Sequence, residues 1–239
     1  MKDAKRDATN FRMNPNFIMD RIPLDALLEG PSASKSLDRM CDRINAGEIF
    51  IYPTETIYGI GGRADNEDVR KKIIDAKKRK SDHPMVLLAG KKETLSRCNV
   101  DFPPAAQILS NKFWPGYLTL VLPIKNNKQT VAVRISSHPF LKAIFTRIHV
   151  PIFSTSANIS GTDYKNDPVE ICSTFSNRVD FMIDAGILPS SPPSTIVGVS
   201  PENTVTMVRE GAISRVEIES VLRKIDASVV FGSLDIIEK

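Results

Sequence analysis

The chain has 239 residues, enough for one α/β domain with a full core, and its 41% hydrophobic and 25% charged residues are typical of a globular protein. Its formal net charge of +4 suits a site for phosphates or carboxylates but is too small to indicate nucleic-acid binding by itself. The three cysteines and three histidines lack the spacing of a disulfide framework or a structural zinc site. Because no segment has the apolar length of a membrane span and no secretory leader is recognisable, we expect a cytoplasmic protein without membrane association.

Three parts are predicted along the chain. Residues 1–33 are polar and form a partly ordered N-terminal extension, with a docked piece around residues 17–28. Residues 34–226 form the main domain, and residues 227–239 form a tail that docks through its apolar residues 229–231. Strands and helices alternate through the domain until a strand-rich final third, which predicts an α/β fold with a twisted, mixed sheet.

One segment organises the rest of the chain. A buried strand at residues 49–52 is ended by Pro53 and followed by the polar residues 54–56. A helix begins after Asn66, a good N-cap, and ends in the cationic residues 77–80. Between them, three glycines allow a tight turn or close approach to a ligand, namely Gly59, Gly61 and Gly62. Hydroxyl groups followed by clustered cations predict half of a site for an anionic ligand.

Further strands and helices complete the predicted domain. Strands are expected at residues 85–89, 117–122, 130–135, 151–155, 179–184, 194–199 and 204–209. Helices are expected to begin near residues 34, 92, 103, 139, 168 and 216, the last of them continuing to about residue 225. No internal repeat and no linker divides this series.

Four short polar segments each lie at the end of a predicted strand, where ligands of α/β sheets usually bind. They are residues 54–56, Arg134 with Ser136, residues 154–158, and Ser194 with Thr195. Lys77, Arg79 and Arg209 add cations, and arginine can hold an oxyanion through two parallel hydrogen bonds. Each segment also has a plainer explanation, as a capped turn, a solvated helix end or a loop. Only Arg134 resists such an explanation, because an unpaired buried charge is costly.

The chain lacks the nucleotide-binding and hydrolase patterns GxxxxGK[ST], GxGxxG, GxSxG and HExxH. Its own motifs are YPTETIYG at residues 52–59, KKR at 77–79, WPG at 114–116, VAVR at 131–134, STSANISG at 154–161, STI at 194–196 and VREG at 208–211. This ordered set resembles the YrdC-like family of threonylcarbamoyl-adenylate synthases (TsaC type). The chain departs from residues common in that family at Lys80, Leu88, Ser136 and Pro193, which affects loop geometry and threonine contacts more than the reaction.

The resemblance implies a YrdC-like twisted, mixed sheet flanked by helices, with residues 34–226 as the catalytic domain and a large cationic concave site. It implies that L-threonine, bicarbonate or CO2, and ATP react to give threonylcarbamoyl-AMP and pyrophosphate, with Mg2+ accompanying ATP. The product would pass to a tRNA threonylcarbamoyl transferase, which forms N6-threonylcarbamoyladenosine on tRNA. We also expect the chain to lack the second, C-terminal domain that some longer relatives carry.

The family pattern implies roles for individual residues. Lys77 and Arg79 would be catalytic and would face the triphosphate of ATP. Further ATP contacts would come from Thr119, Ser154, Ser156, Asn158 and Arg209. Threonine would be bound by Thr54, Ala132, Arg134, Ser194 and Thr195, with Arg134 as the partner of its carboxylate. The pattern does not indicate any metal ligands.

Two other functions remain as alternatives. A YciO-like paralogue would share the fold without the synthase activity, although the intact Pro-Thr-Glu-Thr and Ser-Ala-Asn-x-Ser-Gly segments favour the synthase. A (double-stranded) RNA-binding protein would use the same concavity for phosphate backbones, and weak RNA binding is compatible with the synthase as well. Against this alternative, the sequence has no basic stripe with interleaved aromatic residues.

Overall fold

The computed structural model describes residues 19–78, 84–223 and 229–230. The strands are β1 (Asp20–Pro23), β2 (Phe50–Pro53), β3 (Tyr58–Arg63), β4 (Val86–Leu88), β5 (Leu118–Pro123), β6 (Thr130–Arg134), β7 (Ile152–Ser156), β8 (Phe181–Asp184), β9 (Thr195–Val199), β10 (Val205–Arg209) and β11 (Val229–Val230). The helices are α1 (Asp25–Leu28), α2 (Ala33–Asn45), α3 (Glu67–Ala76), α4 (Lys92–Arg97), α5 (Pro104–Phe113), α6 (Pro139–Ile144), α7 (Pro168–Phe175) and α8 (Arg215–Leu222).

The strands of the described residues form one sheet in the order β1-β8-β2-β3-β7-β4-β6-β5-β9-β10-β11. Five neighbouring pairs of strands are parallel. The other five pairs are antiparallel. The prediction of a twisted, mixed α/β sheet flanked by helices is therefore confirmed.

Helices cover the two faces of the sheet unequally. On one face, α3 and α7 pack against β2, β3 and β8, while α4, α5 and α8 pack against β5, β6, β9 and β10. On the other face, α1, α2 and α6 pack against β2 and β8 and against the ends of β4 and β7. The centre of this second face has no helix over it among the described residues, and a cavity lies there.

Local sequence signals explain where several helices begin. The Asn66 side chain caps α3 by accepting hydrogen bonds from the backbone N–H groups of Asp68 and Val69. Ser214 and Glu217 form a capping box at the start of α8. Such caps typically contribute about 1 kcal/mol each, because they satisfy backbone donors that have no partner inside the helix. Both helices begin within one residue of the predicted positions.

The glycine-rich segment departs most from prediction. Residues 59–62 do not form a tight turn but lie inside β3, which pairs antiparallel with β2. A Cβ atom at Gly61 would lie 2.0 Å from the carbonyl oxygen of Phe153, and one at Gly59 would lie 3.2 Å from the ring of Tyr52. The glycines are therefore needed for close contact between neighbouring strands, not for a turn.

Residues from both ends of the chain take part in the sheet. β1 lies within the predicted N-terminal extension and pairs in parallel with β8. β11 lies within the predicted tail and pairs in parallel with β10. The predicted end of the last helix, at residue 225, lies outside the described residues, and the three-part division of the chain stays a prediction.

Candidate active site

The open centre of the sheet forms a cavity of about 310 Å³. Its lining residues are Thr54, Glu55, Thr56, Ile57, Gly59, Pro84, Val86, Leu88, Thr119, Arg134, Ser136, Ser154, Thr155, Ser156, Tyr164, Pro193, Ser194, Ile196 and Arg209. All four polar segments predicted at strand ends thus contribute to one cavity. They meet on a face of the sheet and not at its edge, because the central strands run in both directions.

A buried ion pair joins Arg134, at the end of β6, to Glu55 in the loop between β2 and β3. Arg134 Nη2 donates to Glu55 Oε2 at 2.8 Å, and Arg134 Nε donates to the Gly116 carbonyl oxygen at 2.8 Å. Glu55 Oε1 also accepts hydrogen bonds from the Ser136 hydroxyl at 2.9 Å and from the Ser137 hydroxyl at 2.7 Å. Among the described residues, Arg134 Nη1 has no acceptor, so this nitrogen can donate to a ligand in the cavity.

Both members of this pair are charged. Burial would raise the pKa of Glu55, but the charge of Arg134 and the hydrogen bonds from Ser137 and Ser136 outweigh burial and hold the pKa below its usual value. Burial lowers the pKa of Arg134, and the Glu55 carboxylate opposes that change. Because a guanidinium keeps its proton in proteins, the pair presents a fixed cation to the cavity.

A second guanidinium, that of Arg209 at the end of β10, lines the same cavity. Arg209 Nη2 donates to the Ser194 carbonyl oxygen at 2.8 Å and to the Ser194 hydroxyl at 3.2 Å. The Thr119 hydroxyl donates to the same Ser194 hydroxyl at 3.1 Å. Burial lowers the pKa of Arg209, and the positive charge of Arg134 lowers it further. The described lining therefore holds two cations against the single carboxylate of Glu55, which favours an anionic ligand.

Lys77 and Asn158 are not among the residues that line the cavity, and their predicted contacts with ATP stay predictions. Lys77 follows α3 and is only 2% exposed. Its ammonium group donates to the Ser156 carbonyl oxygen, to the Asn158 carbonyl oxygen at 2.7 Å and to Asn158 Oδ1 at 3.3 Å. Asn158 Nδ2 donates to the carbonyl oxygens of Ile159 and Thr162, and Asn158 Oδ1 accepts from the Ser156 hydroxyl. Lys77 and Asn158 thus lie behind the cavity wall and hold the segment that carries its serines.

Thr54 lines the cavity, but its hydroxyl group organises the β2–β3 loop. This hydroxyl donates to the Ile57 carbonyl oxygen at 2.7 Å and accepts from the backbone N–H groups of Thr56 and Ile57 at 3.2 Å each. The Ser191 hydroxyl fastens a second loop to this one by donating to the Glu55 and Thr56 carbonyl oxygens. Thr54 therefore shapes the loop that presents Glu55 to Arg134.

Thr195 and Ala132 do not line the cavity in this structure. Ser194 lines it, and the side chain of Thr195 points to the other face of the sheet because side chains alternate along a strand. The buried Thr195 hydroxyl donates to the Ile213 carbonyl oxygen at 2.6 Å and accepts from the N–H groups of Gly211 and Ile213. Thr195 thus fixes the backbone after β10, close to Arg209, and a direct contact with threonine is not supported by its position.

Arg79 and Glu55 are further residues of the predicted cationic and polar segments. Arg79 lies outside the described residues, so its catalytic role stays a prediction. Glu55 belongs to the predicted polar segment 54–56 but has no individual role in that prediction, although a signal for one exists in the sequence. A cation that closes an apolar strand, as Arg134 does, requires an acidic partner when buried, and Glu55 is the acid within the polar segment 54–56.

The described residues contain no group of three or more His, Cys, Asp or Glu side chains that could hold a metal ion. The carboxylate in the cavity, that of Glu55, is already engaged by Arg134. No helix in this part of the chain is long and apolar enough to cross a membrane.

Comparison with known proteins identifies the family to which this chain belongs. The family model of the Sua5/YciO/YrdC domain, described as "Telomere recombination", matches residues 42–211, more than half of the chain. The threonylcarbamoyl-AMP synthase of Bacillus subtilis (strain 168) is 32% identical over 188 residues, which are 75% of this chain and 54% of that protein. The threonylcarbamoyl-AMP synthase of Pyrococcus abyssi (strain GE5 / Orsay) is 33% identical over 190 residues, 76% of this chain and 56% of that protein. The chain thus spans about half the length of these two relatives.

The fold agrees with a solved structure of the same family. The crystal structure of P. abyssi Sua5 complexed with L-threonine matches with a TM-score of 0.73 and 29% sequence identity. The match covers 88% of this chain and 62% of that chain. The chain is therefore a member of the Sua5/YciO/YrdC family.

Proposed function

We propose that this chain is an L-threonylcarbamoyladenylate synthase, a nucleotidyltransferase that makes threonylcarbamoyl-AMP and pyrophosphate from L-threonine, bicarbonate or CO2, and ATP. Two relatives carry the name threonylcarbamoyl-AMP synthase, and one solved relative is complexed with L-threonine. In the cytoplasm, the product would pass to a separate tRNA threonylcarbamoyl transferase and so serve tRNA modification.

The proposal is carried by one observation, that Arg134 and Arg209 line the same cavity against a single carboxylate among the described lining residues. An amino-acid carboxylate and a polyphosphate are both anions that arginine can bind through two hydrogen bonds. The lining includes residues of seven adjacent strands, from β3 to β10. At about 4.8 Å between strands, this is about 29 Å along the sheet. A ligand with two parts, an amino acid and a nucleotide, suits this width better than an amino acid alone.

The proposed chemistry has two steps. The threonine amine attacks CO2 and loses a proton, which gives a carbamate. A carbamate oxygen then attacks the α-phosphorus of ATP as the bond to pyrophosphate breaks, so negative charge grows on the phosphate oxygens. Preorganised cations stabilise such charge without rearranging during the reaction. We assign Arg134, through its Nη1, to the threonine carboxylate and Arg209 to the phosphates of the nucleotide.

Mg2+ would enter this site bound to the triphosphate, since the described residues offer no ligand set of their own. There it would supply positive charge to the phosphate oxygens. The protein contribution proposed here is the binding and orientation of the two substrates by the arginines and the cavity hydroxyls.

The experiment that tests the proposal is pyrophosphate release by the purified chain with ATP, Mg2+, bicarbonate and L-threonine, omitting one component at a time. Mass spectrometry of the same reactions detects the adenylate. We expect release that requires both threonine and bicarbonate, with threonylcarbamoyl-AMP present. Folded protein that releases no pyrophosphate would favour the YciO-like paralogue. RNA binding that weakens steeply with salt and is not displaced by ATP would favour the RNA-binding alternative.

Substitution of Arg209 tests whether the activity resides in this cavity. Arg209→Ala removes the guanidinium at the end of β10, and we expect the KM for ATP to rise about tenfold, the value of a charged hydrogen bond, with a smaller change for L-threonine. Arg39→Ala, an exposed arginine in α2, is the matched control and should behave as wild type. An unchanged ATP dependence in Arg209→Ala would remove this residue from the nucleotide site.

A further inference from the structure

Tyr52 in β2 reaches across a neighbouring strand to Ser154 in β7. The ring lies over Gly59 and Gly61 of β3, where a Cβ atom at either position would approach the ring to 3.2 Å. The Tyr52 hydroxyl donates to Ser154 Oγ at 2.7 Å. Tyr52 itself is fully buried and does not line the cavity, whereas Ser154 does. A buried hydroxyl is thus connected to the cavity through one serine.

Burial decides the direction of this hydrogen bond. Among the described residues, Ser154 is the one hydrogen-bond partner of the Tyr52 hydroxyl. If Tyr52 accepted, its own proton would be buried without a partner, which is costly. Burial also raises the pKa of Tyr52 well above its ordinary value, so the proton stays on the tyrosine oxygen. Ser154 therefore accepts from Tyr52 and keeps its own proton for an acceptor inside the cavity.

We propose that Tyr52 is a positioning residue, which acts through Ser154 to direct the serine proton into the cavity as a donor to an anionic oxygen of the bound substrate. The inference rests on the proposed function for its substrates, whose phosphate and carboxylate oxygens are the acceptors of this class. The glycines of β3 are part of the same device, because any side chain at Gly59 or Gly61 would displace the Tyr52 ring.

A double-mutant cycle tests the proposal. Tyr52→Phe keeps the ring and removes only the hydroxyl group, so we expect kcat/KM to fall about fivefold, the value of one neutral hydrogen bond. In a Ser154→Ala background the same change should cost nothing further, because the group that Tyr52 orients is gone. An equal fall in both backgrounds would overturn the proposal, since Tyr52 would then act through packing alone.

Tyr58→Phe is the matched control for the loss of a buried hydroxyl. The Tyr58 hydroxyl donates to the Gly186 carbonyl oxygen at 2.8 Å and accepts from the Ala185 N–H at 2.9 Å, and it makes no bond to Ser154. Any effect of Tyr58→Phe on kcat/KM should therefore be the same with and without Ser154→Ala. Thermal unfolding of each variant verifies that the compared proteins are folded.

Calorimetric titration of the same variants with ATP alone and with L-threonine alone separates this inference from the proposed function. Here coupling means that the effects of Tyr52→Phe and Ser154→Ala on ligand affinity are not additive. Coupling in the affinity for ATP identifies a phosphate acceptor, and coupling in the affinity for L-threonine identifies a carboxylate acceptor. A wild type that makes no adenylate but shows coupling in ligand binding would overturn the function and support the inference. An active wild type without coupling would do the reverse. Folded wild type that neither turns over nor binds either ligand would overturn both.

Discussion

The cavity has two walls that use their cations in opposite ways. The arginine wall (Thr119, Arg134, Ser194 and Arg209) presents guanidinium groups to the cavity, and the Glu55 carboxylate balances one of them. The serine wall (Ser154 and Ser156) presents hydroxyl groups, and its nearby cation, Lys77, lies buried behind it. The Lys77 ammonium bonds backbone carbonyl oxygens and the Asn158 side chain.

This difference shows that a basic residue within a site motif can act in two distinct ways. Arg134 keeps donors for a ligand because its planar guanidinium has five N–H groups, and Glu55 and Gly116 use one each. An ammonium group has three protons, and among the described residues Lys77 donates to oxygen atoms of Ser156 and Asn158. The cation of the arginine wall thus keeps a donor for a ligand, whereas the described contacts of Lys77 hold the backbone of the serine wall in place.

The largest predicted effect concerns the arginine wall. Glu55→Gln removes the carboxylate that balances buried Arg134, and we expect a loss of about 3 kcal/mol in the free energy of unfolding, because an uncompensated buried charge is costly. Without its partner, the Arg134 guanidinium should also bind threonine less well, so the KM for L-threonine should rise. Urea denaturation and steady-state kinetics measure the two effects. Glu202→Gln, at an exposed glutamate, is the control. Equal unfolding midpoints for Glu55→Gln and wild type would show that the ion pair does not hold this wall.

A somewhat smaller effect is expected in the serine wall. Lys77→Met removes the donor to three oxygen atoms and should reduce the free energy of unfolding by about 2 kcal/mol, since buried acceptors are left unsatisfied. Lys78→Met, at the exposed neighbouring lysine, should change it by less than about 0.5 kcal/mol. Urea denaturation gives both values. A Lys77→Met protein that is as stable as wild type but inactive would support the predicted contact of Lys77 with the triphosphate, and the two walls would then not differ in how they use their cations.

The parts of this structure that depend on neighbouring residues could be predicted from the sequence. The N-cap of α3 at Asn66 and the strand that ends in Arg134 follow from spacing, alternation and residue type within a few positions. The four polar segments could be assigned to one site because strand ends collect ligands in α/β folds. That they meet on a face of the sheet could not be predicted, since it depends on the antiparallel pairing of β3 with β7 and of β7 with β4.

The features of the structure that depend on residues distant in the chain could not be predicted. Read locally, the glycines of β3 predict a turn or a close approach to a ligand, and Gly59 does line the cavity. The close contacts with Tyr52 and Phe153 on the neighbouring strands are not visible in the local pattern. Lys77 meets its acceptors 79 and 81 residues further along the chain, and no local pattern reveals that distance. For Thr195, in contrast, alternation along a strand is enough to predict that it cannot face the cavity together with Ser194.

The smallest predicted effect is a pH dependence at His138, where the backbone N–H joins the groups around Glu55. His138 Nδ1 accepts from the Phe140 N–H and so caps α6. Burial lowers the pKa of His138 below the ordinary value of 6.5, and the charge of Glu55 opposes this only in part. As the pH falls, the unfolded chain takes up the proton on this histidine before the folded chain does. The stabilisation that comes from neutral His138 is therefore fully present above pH 6.5 and decreases as the pH falls from 6.5 toward the lower pKa of the folded state.

His138→Asn tests this dependence, because asparagine can cap a helix but does not titrate. We expect the free energy of unfolding of the variant to stay constant where that of wild type begins to fall, just below pH 6.5. Glu55 cannot cause this fall, because its own pKa is lowered from 4.5 and its contribution is lost only at more acidic pH. The exposed His149 provides the control, because His149→Asn makes the same substitution away from the groups around Glu55. Parallel profiles for His138→Asn and wild type would mean that the histidine is as easily protonated in the folded chain as in the unfolded one. His138 would then not contribute to the pH dependence of stability beside the arginine wall.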